Sequence, residues 1–380
     1  MRWQEHVERE GMRFAPAPVY ETLPARGGPL KPYAAAVRGA HDTRPLVAEF
    51  APDVMVVDIL TVAATLAAEL EGRTWATLVP HVMPTADPGF PVYSVGARRP
   101  RSAPGAALWR AFDPVVRAGV DRGRRELNGA RERVGLPPLD HLHGGISRSL
   151  ALVATFPQLE YPRVRPEPWA RVTGPLLWEQ PFGEVELPPG EDPLVLVAPS
   201  TSQDPEGRLV RAALEGLADE PVRVLATTNQ KPNADRLRVP RNARVVDWLS
   251  YARTMPQCAV VVCHAGHGTV ARSLASGVPL VACPAAGDMA ENAARVAWSG
   301  AGVSLPRRLT TAGGVRLAVR AVLSEPAYTG RARQLAAWAA EHEGGTAAAL
   351  EVERLAEGLR PRGRRNRKLR GWDSNPQPLD

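Results

Sequence analysis

Short runs of consecutive apolar residues alternate along the chain with longer stretches in which apolar positions recur every three to four residues, with Gly and Pro between them. Continuous runs of this length read as strands buried on both faces, and the wider spacing reads as helices covering a sheet. Their alternation predicts parallel sheets with helices on both faces. In the first half the pattern predicts strands over residues 13–17, 54–59, 76–79 and 151–155, with helices near 32–50, 61–70 and 114–134. In the second half it predicts strands over 194–198, 222–227, 243–246, 259–263 and 279–283, separated by helices near 205–217, 268–276, 289–299 and 311–324.

Between the halves lie Trp178-Glu179-Gln180-Pro181-Phe182-Gly183 and then Pro188-Pro189-Gly190-Glu191-Asp192-Pro193, which can continue neither helix nor strand. The chain therefore divides into a Rossmann-like domain over 1–177, a linker over 178–192 and a second Rossmann-like domain over 193–345. A last helix over 346–359 is expected to pack back on the first domain, followed by a disordered basic tail over 360–380. Open parallel sheets bind ligands at the carboxyl ends of their strands, so two such domains predict a cleft between them.

A length of 380 residues suits two domains, and 44% hydrophobic with 23% charged residues suits globular ones. The net charge of +7 raises nucleic acid as a partner, but seven basic residues against two acidic ones beyond Leu359 hold most of it. The body carries little excess, which argues against a nucleic-acid surface. Cys258, Cys263 and Cys283 fall in or beside apolar runs with the spacing of neither a zinc site nor a disulfide framework, so free thiols in a reducing, cytoplasmic setting are expected. The longest apolar stretch, residues 54–70, contains Asp58 and Glu69 and is too short and charged to span a bilayer.

The most informative run is Cys263-His264-Ala265-Gly266-His267-Gly268-Thr269, which leaves an apolar strand and opens a helix. Glycine lets the backbone approach a ligand closely, and the first N–H groups of a helix attract phosphate. The same residues, read as far as Ala271, also fit G-x-G-x-x-A, with Asp288 about twenty residues on as a dinucleotide site requires. Against that alternative, the turn comes late in its domain, and Asp288 lies beyond a Pro-Ala-Ala-Gly loop rather than at a strand tip. Asp140-His141-Leu142-His143 brings two histidines and an aspartate together, but an i, i+2 pair without further ligands reads as a loop.

Trp248, His264 to Thr269, Gly277-Val278-Pro279 and Asp288-Met289-Ala290-Glu291-Asn292-Ala293 together resemble the donor motif of inverting GT-B glycosyltransferases of the UDP-glucuronosyl/UDP-glucosyl type, especially those of actinobacterial natural-product pathways. Weaker similarity includes Leu78-Val79-Pro80-His81 and Thr155-Phe156-Pro157-Gln158. The resemblance implies a nucleotide-sugar donor (UDP or dTDP), a small lipophilic acceptor and hexose transfer with inversion, with no cofactor and no metal ion. It implies that Trp248 stacks on the base, that His264 stabilises the diphosphate, and that Gly266, His267, Gly268 and Thr269 bind the donor, with Asp288 holding sugar hydroxyls. Core packing is the competing reading of Trp248, and a solvated loop that of Asp288. Ser200 and Thr201, after the second domain's first strand, either add donors to the same phosphates or belong to the start of the next helix. Arg272 and Met289 depart from the family's glutamate and glutamine, which opens ribose contact and sugar identity.

Inverting transfer needs a base at the acceptor hydroxyl. In the family a histidine after the first strand of the first domain serves, oriented by an aspartate ending a later strand. Asp58 matches that aspartate, helix capping being its other reading. The histidine has no counterpart, so the chain is expected to be truncated at its N-terminus by about one βαβ unit, roughly 30 residues or more. His6 and His81 are weaker substitutes, one on a helix and the other lining the acceptor pocket or closing a turn. A catalytically silent nucleotide-sugar-binding protein and a nucleotide-sugar epimerase of the same architecture are the alternatives.

Overall fold

The computed structural model describes residues 4–16, 32–85, 87–141, 145–164, 166–180, 182–200, 204, 206–229 and 237–359. Thr201, most of the loop at Asp140 to Gly144 and the tail 360–380 lie outside them. The first half contains α1 (Gln4–Arg9), α2 (Pro32–Phe50), β1 (Val54–Asp58), α3 (Val62–Leu70), β2 (Thr74–Val79), α4 (Ala103–Arg110), α5 (Asp113–Arg133), β3 (Ala151–Val153) and β4 (Ala170–Val172). Its four strands form one parallel sheet in the order β1-β2-β3-β4.

The second half contains β5 (Leu194–Ala198), α6 (Arg208–Gly216), β6 (Arg223–Thr227), β7 (Ala243–Val246), α7 (Tyr251–Thr254), β8 (Val260–Cys263), α8 (His267–Ala275), β9 (Leu280–Ala282), α9 (Met289–Ser299), β10 (Gly302–Ser304), α10 (Ala312–Ser324), α11 (Pro326–Glu341) and α12 (Gly344–Leu359). Its six parallel strands run in the order β10-β9-β8-β5-β6-β7. Every residue of β5 and of β8 is buried, as central strands covered on both faces demand. From β5 the chain winds outward to β6 and β7, then returns to place β8 on the other side. The crevice at the carboxyl ends of β5 and β8 is thus the topological switch point, where open α/β sheets bind ligands.

One strand expectation fails. Residues 13–16 are not in a strand: the Arg13 guanidinium lies over the Phe50 ring at 4.5 Å and pairs with Glu49, which fixes this segment against the end of α2 instead of in a sheet.

The two halves share a core. Val82, Phe156 and Leu159 from the first pack in one buried cluster with residues of β5, β8, α8 and α9, and the Phe156 ring lies 5.7 Å from that of Trp338 on α11. After α11 the chain crosses to the first sheet, where Ala348 of α12 is buried with Ala76, Leu150 and Leu152 while Val352 and Leu355 pack alongside. Among the described residues no helix is long and apolar enough to cross a membrane.

Candidate functional site

The turn after β8 forms one wall of the switch-point crevice. Ala265 is buried with φ 60°, a left-handed conformation that costs a non-glycine residue about 1–2 kcal/mol. Strain of this kind persists where surrounding structure over-determines it, often at ligand sites. Here the clamp is Asn292 on α9, whose Nδ2 donates both to the Ala265 carbonyl at 3.0 Å and to Asp288 Oδ2 at 3.2 Å. Asn292 was not expected as a site residue, yet it ties the Gly-rich turn to Asp288. Its position four residues after Asp288 on one helix face is the signal that would have marked it.

Gly266 caps α8 and Gly268 lies in its first turn. A Cβ added to either would meet no atom within 4 Å, and neither has positive φ. The fold itself does not require glycine there, while close approach of a ligand to the helix N-terminus does. Thr269 follows, near the hydroxyl of half-buried Tyr251. Trp248 sits beyond the end of β7 and is 37% exposed, so it is not one of the buried core residues. Ser200 stands two residues beyond the end of β5 and is half-buried.

His264 is buried, with Nδ1 2.8 Å from the Cys283 carbonyl and Nε2 3.0 Å from Asp204 Oδ2. Arg272 neither faces open solvent nor stands alone: it lies 3.8 Å from the linker carboxylate of Glu179, which also accepts from the N–H groups of Tyr251 and Ala252. Asp58 accepts from the Leu60 N–H at 2.9 Å, a local turn into α3. Among the described residues no hydrogen bond joins it to a histidine. His6 is at the linker, edge-on to Trp178. His81 lies at the domain boundary, donating from Nδ1 to the Val82 carbonyl at 2.7 Å and standing beside Tyr93. Among the described residues no three His, Cys, Asp or Glu side chains converge as metal ligands, and all three cysteines are free.

Residues 211–354 match the family described as erythromycin biosynthesis protein CIII-like, C-terminal domain. Over 312 residues the chain is 33% identical to the 4'-demethylrebeccamycin synthase of Lentzea aerocolonigenes, covering 77% of this chain and 72% of that protein. The chain belongs to the actinobacterial natural-product glycosyltransferases. A PGL/p-HBAD biosynthesis glycosyltransferase of Mycobacterium tuberculosis is 30% identical over 77% of this glycosyltransferase and 68% of its own length. The fold is GT-B: the solved glycotransferase of kitacinnamycin superposes with a TM-score of 0.72 at 24% identity, over 93% of this chain and 89% of that one. The glycosyltransferase VinC in complex with dTDP superposes with a TM-score of 0.62 at 21% identity, over 86% and 80%.

In this glycosyltransferase His267 holds the domains together as well as opening α8. Its Nε2 donates to the Ala154 carbonyl, at the end of β3, at 3.1 Å, and its buried Nδ1 has no partner. Burial holds the ring's pKa down at about 4 from 6.5. The unfolded chain therefore takes up this proton near pH 6.5 and the folded chain only near pH 4. The stabilisation is complete above pH 6.5 and is lost as pH falls toward 4, by about 3 kcal/mol at most. Melting temperatures measured across that window are expected to fall with pH in the parent and to be flatter in His267→Gln. Equal slopes in both proteins would show that this ring does not carry the effect.

Proposed function

We propose that this glycosyltransferase moves a hexose from a UDP- or dTDP-sugar to a hydroxyl of a small lipophilic acceptor, with inversion, and that the donor's diphosphate sits on the turn from His264 to Thr269. The observation that carries this reading is the pair of glycines at the start of α8. Nothing in the fold demands them, they face the switch point, and the helix N-terminus supplies N–H donors and positive potential for the charge that develops on the leaving group. Trp248 stacks on the base, and Asp288, steadied by Asn292, holds sugar hydroxyls. The names of relatives support the substrate classes: one is a 4'-demethylrebeccamycin synthase, another an aklavinone 7-beta-L-rhodosaminyltransferase, and VinC was solved with dTDP. No cofactor or metal ion enters the proposal, since amide and imidazole groups carry the diphosphate charge.

For the acceptor side, the proposal keeps Asp58 as the carboxylate that orients the base at the acceptor hydroxyl. The test is a panel of UDP- and dTDP-hexoses with polycyclic phenols and alcohols, run on the parent and on Asp58→Asn. Nucleoside diphosphate release that requires acceptor, and a product of inverted anomeric configuration, are expected, with Asp58→Asn slower. Equal rates would remove Asp58 from the mechanism, and retention of configuration would remove the single-displacement mechanism.

A further inference from the structure

The chain from Ala103 to Glu126, which makes α4 and most of α5, contains no buried residue. Ala111 and Phe112, between the two helices, keep right-handed helical angles, so the helical spacing carries over from one to the next. Leu108, Phe112 and Val115 therefore share a face, at i, i+4 and i+7, and they are 63%, 47% and 70% exposed. Trp109 stands beside them, its ring 5.7 Å from that of Phe112. A helix ordinarily turns such a face onto its own core, and α5 buries a residue only from Leu127 onward. Two close approaches tie this surface to the cleft. Gly89, at φ 85°, lets the loop after β2 pass the Ala106 carbonyl, which a Cβ would meet at 3.2 Å. Gly96, at φ 72°, sets the same loop on Ala290 of α9, two residues from Asp288, where a Cβ would stand 2.8 Å from the alanine methyl.

Charge is concentrated on the same stretch. Seven basic and two acidic residues beyond Leu359 take up five of the seven net charges and leave +2 for residues 1–359. Residues 98–125 alone hold eight arginines and two aspartates, so the rest of the body is acidic on balance. The ion pairs of this stretch, Arg122 with Glu126 and Arg124 with Asp121, lie at its far end. Arg98, Arg101, Arg110 and Arg117 are exposed, and among the described residues they have no carboxylate partner.

We propose that Leu108, Phe112 and Val115, with the arginines around them, seat the protein peripherally on an anionic lipid bilayer. Helices that lie in the headgroup plane combine these two features: apolar side chains enter the acyl boundary, and cationic ones meet the phosphates while their stems cover apolar surface. Trp109 suits the same interface, with an apolar ring and one N–H donor. A second copy docked through this face would set arginine against arginine, and a nucleic acid would use the arginines but leave Leu108 and Val115 in water. The membrane seat stands independently of the donor-site reading. Only its use, which is to bring the mouth of the cleft to a bilayer that holds a lipophilic acceptor, rests on the proposed reaction.

The test is flotation of the full chain with vesicles of phosphatidylglycerol and phosphatidylcholine, and with vesicles of phosphatidylcholine alone, at about 0.1 M salt. Three variants accompany the parent. One carries Leu108→Ser, Phe112→Ser and Val115→Ser, a second Arg101→Gln and Arg117→Gln, and a third Arg364→Ser, Arg365→Ser, Arg367→Ser and Lys368→Ser in the basic tail. The substituted helical residues are not buried, so the first two are expected to melt with the parent. The parent is expected to float with the anionic vesicles only, less so as salt rises. The serine variant is expected to bind them at least about tenfold more weakly, and the glutamine variant about tenfold. A parent that does not float overturns the proposal. So does binding that is lost in the tail variant and kept in the two helix variants. A parent that ignores vesicles but binds duplex DNA through Arg101 and Arg117, or dimerises through Leu108, Phe112 and Val115, overturns it in favour of that partner.

Discussion

Arg295→Ala is expected to destabilise the protein by about 3–5 kcal/mol, the usual effect of removing one partner of a buried ion pair. Arg295 and Glu291 sit one turn apart on α9, at 2.8 Å, with side chains 5% and 3% exposed. The same guanidinium donates to the Leu159 carbonyl at 3.0 Å and lies 3.4 Å from the centre of the Tyr161 ring, both in the first domain. It also opposes the effect of burial on Glu160, whose carboxyl is pushed up. Without Arg295, Glu291 is left buried without its cation and Glu160 keeps Arg163 at 3.9 Å, one oxygen of Glu291 being unpartnered already. A melting temperature lower by about 10 °C is expected. Replacing both members with apolar residues of similar size, Glu291→Leu with Arg295→Met, should recover most of the loss, because the desolvated carboxylate goes with the guanidinium. A single variant that melts with the parent would mean the ion pair does not join α9 to the first domain.

The strands of the second domain were legible because β5, β6 and β8 are central and buried on both faces, and such strands appear as unbroken apolar runs. The pattern gives no sign of β4 or β10: each has three residues, and Ala-Arg-Val or Gly-Val-Ser is too short to carry a period. α4 was hidden by the prolines and arginines around it, although Ser102 caps it through the Gly105 N–H. At the site, the Gly-rich turn could be read because its chemistry is local, a strand end and a helix start within seven residues. Contacts between distant positions could not. Asp204 with His264, His267 with Ala154 and Arg295 with Leu159 each join residues at least 60 positions apart, and no spacing rule encodes them. A capping role for the segment before α6 was foreseeable from its Ser, Thr and Asp residues, but the use of the same carboxylate to hold a histidine required the strand order that sets β5 beside β8.

Gly268→Val addresses the donor site itself. Gly268 is exposed, and a Cβ there meets nothing within 4 Å, so the folded protein has room for the larger side chain. Valine loses less backbone entropy on folding than glycine, and the melting temperature should stay level or rise slightly. A diphosphate seated on the first N–H groups of α8 would collide with the branched side chain, and weakening of at least about a hundredfold is expected. A structural glycine would behave in the opposite way, losing stability before losing affinity. The deciding measurement is a calorimetric titration of the parent and of Gly268→Val with dTDP and with UDP, alongside their melting curves. Saturable binding of one nucleotide by the parent, lost in a variant that melts with it, is the predicted result. Unchanged binding in the variant, or no binding by the parent, would contradict the placement of the donor's diphosphate on this turn.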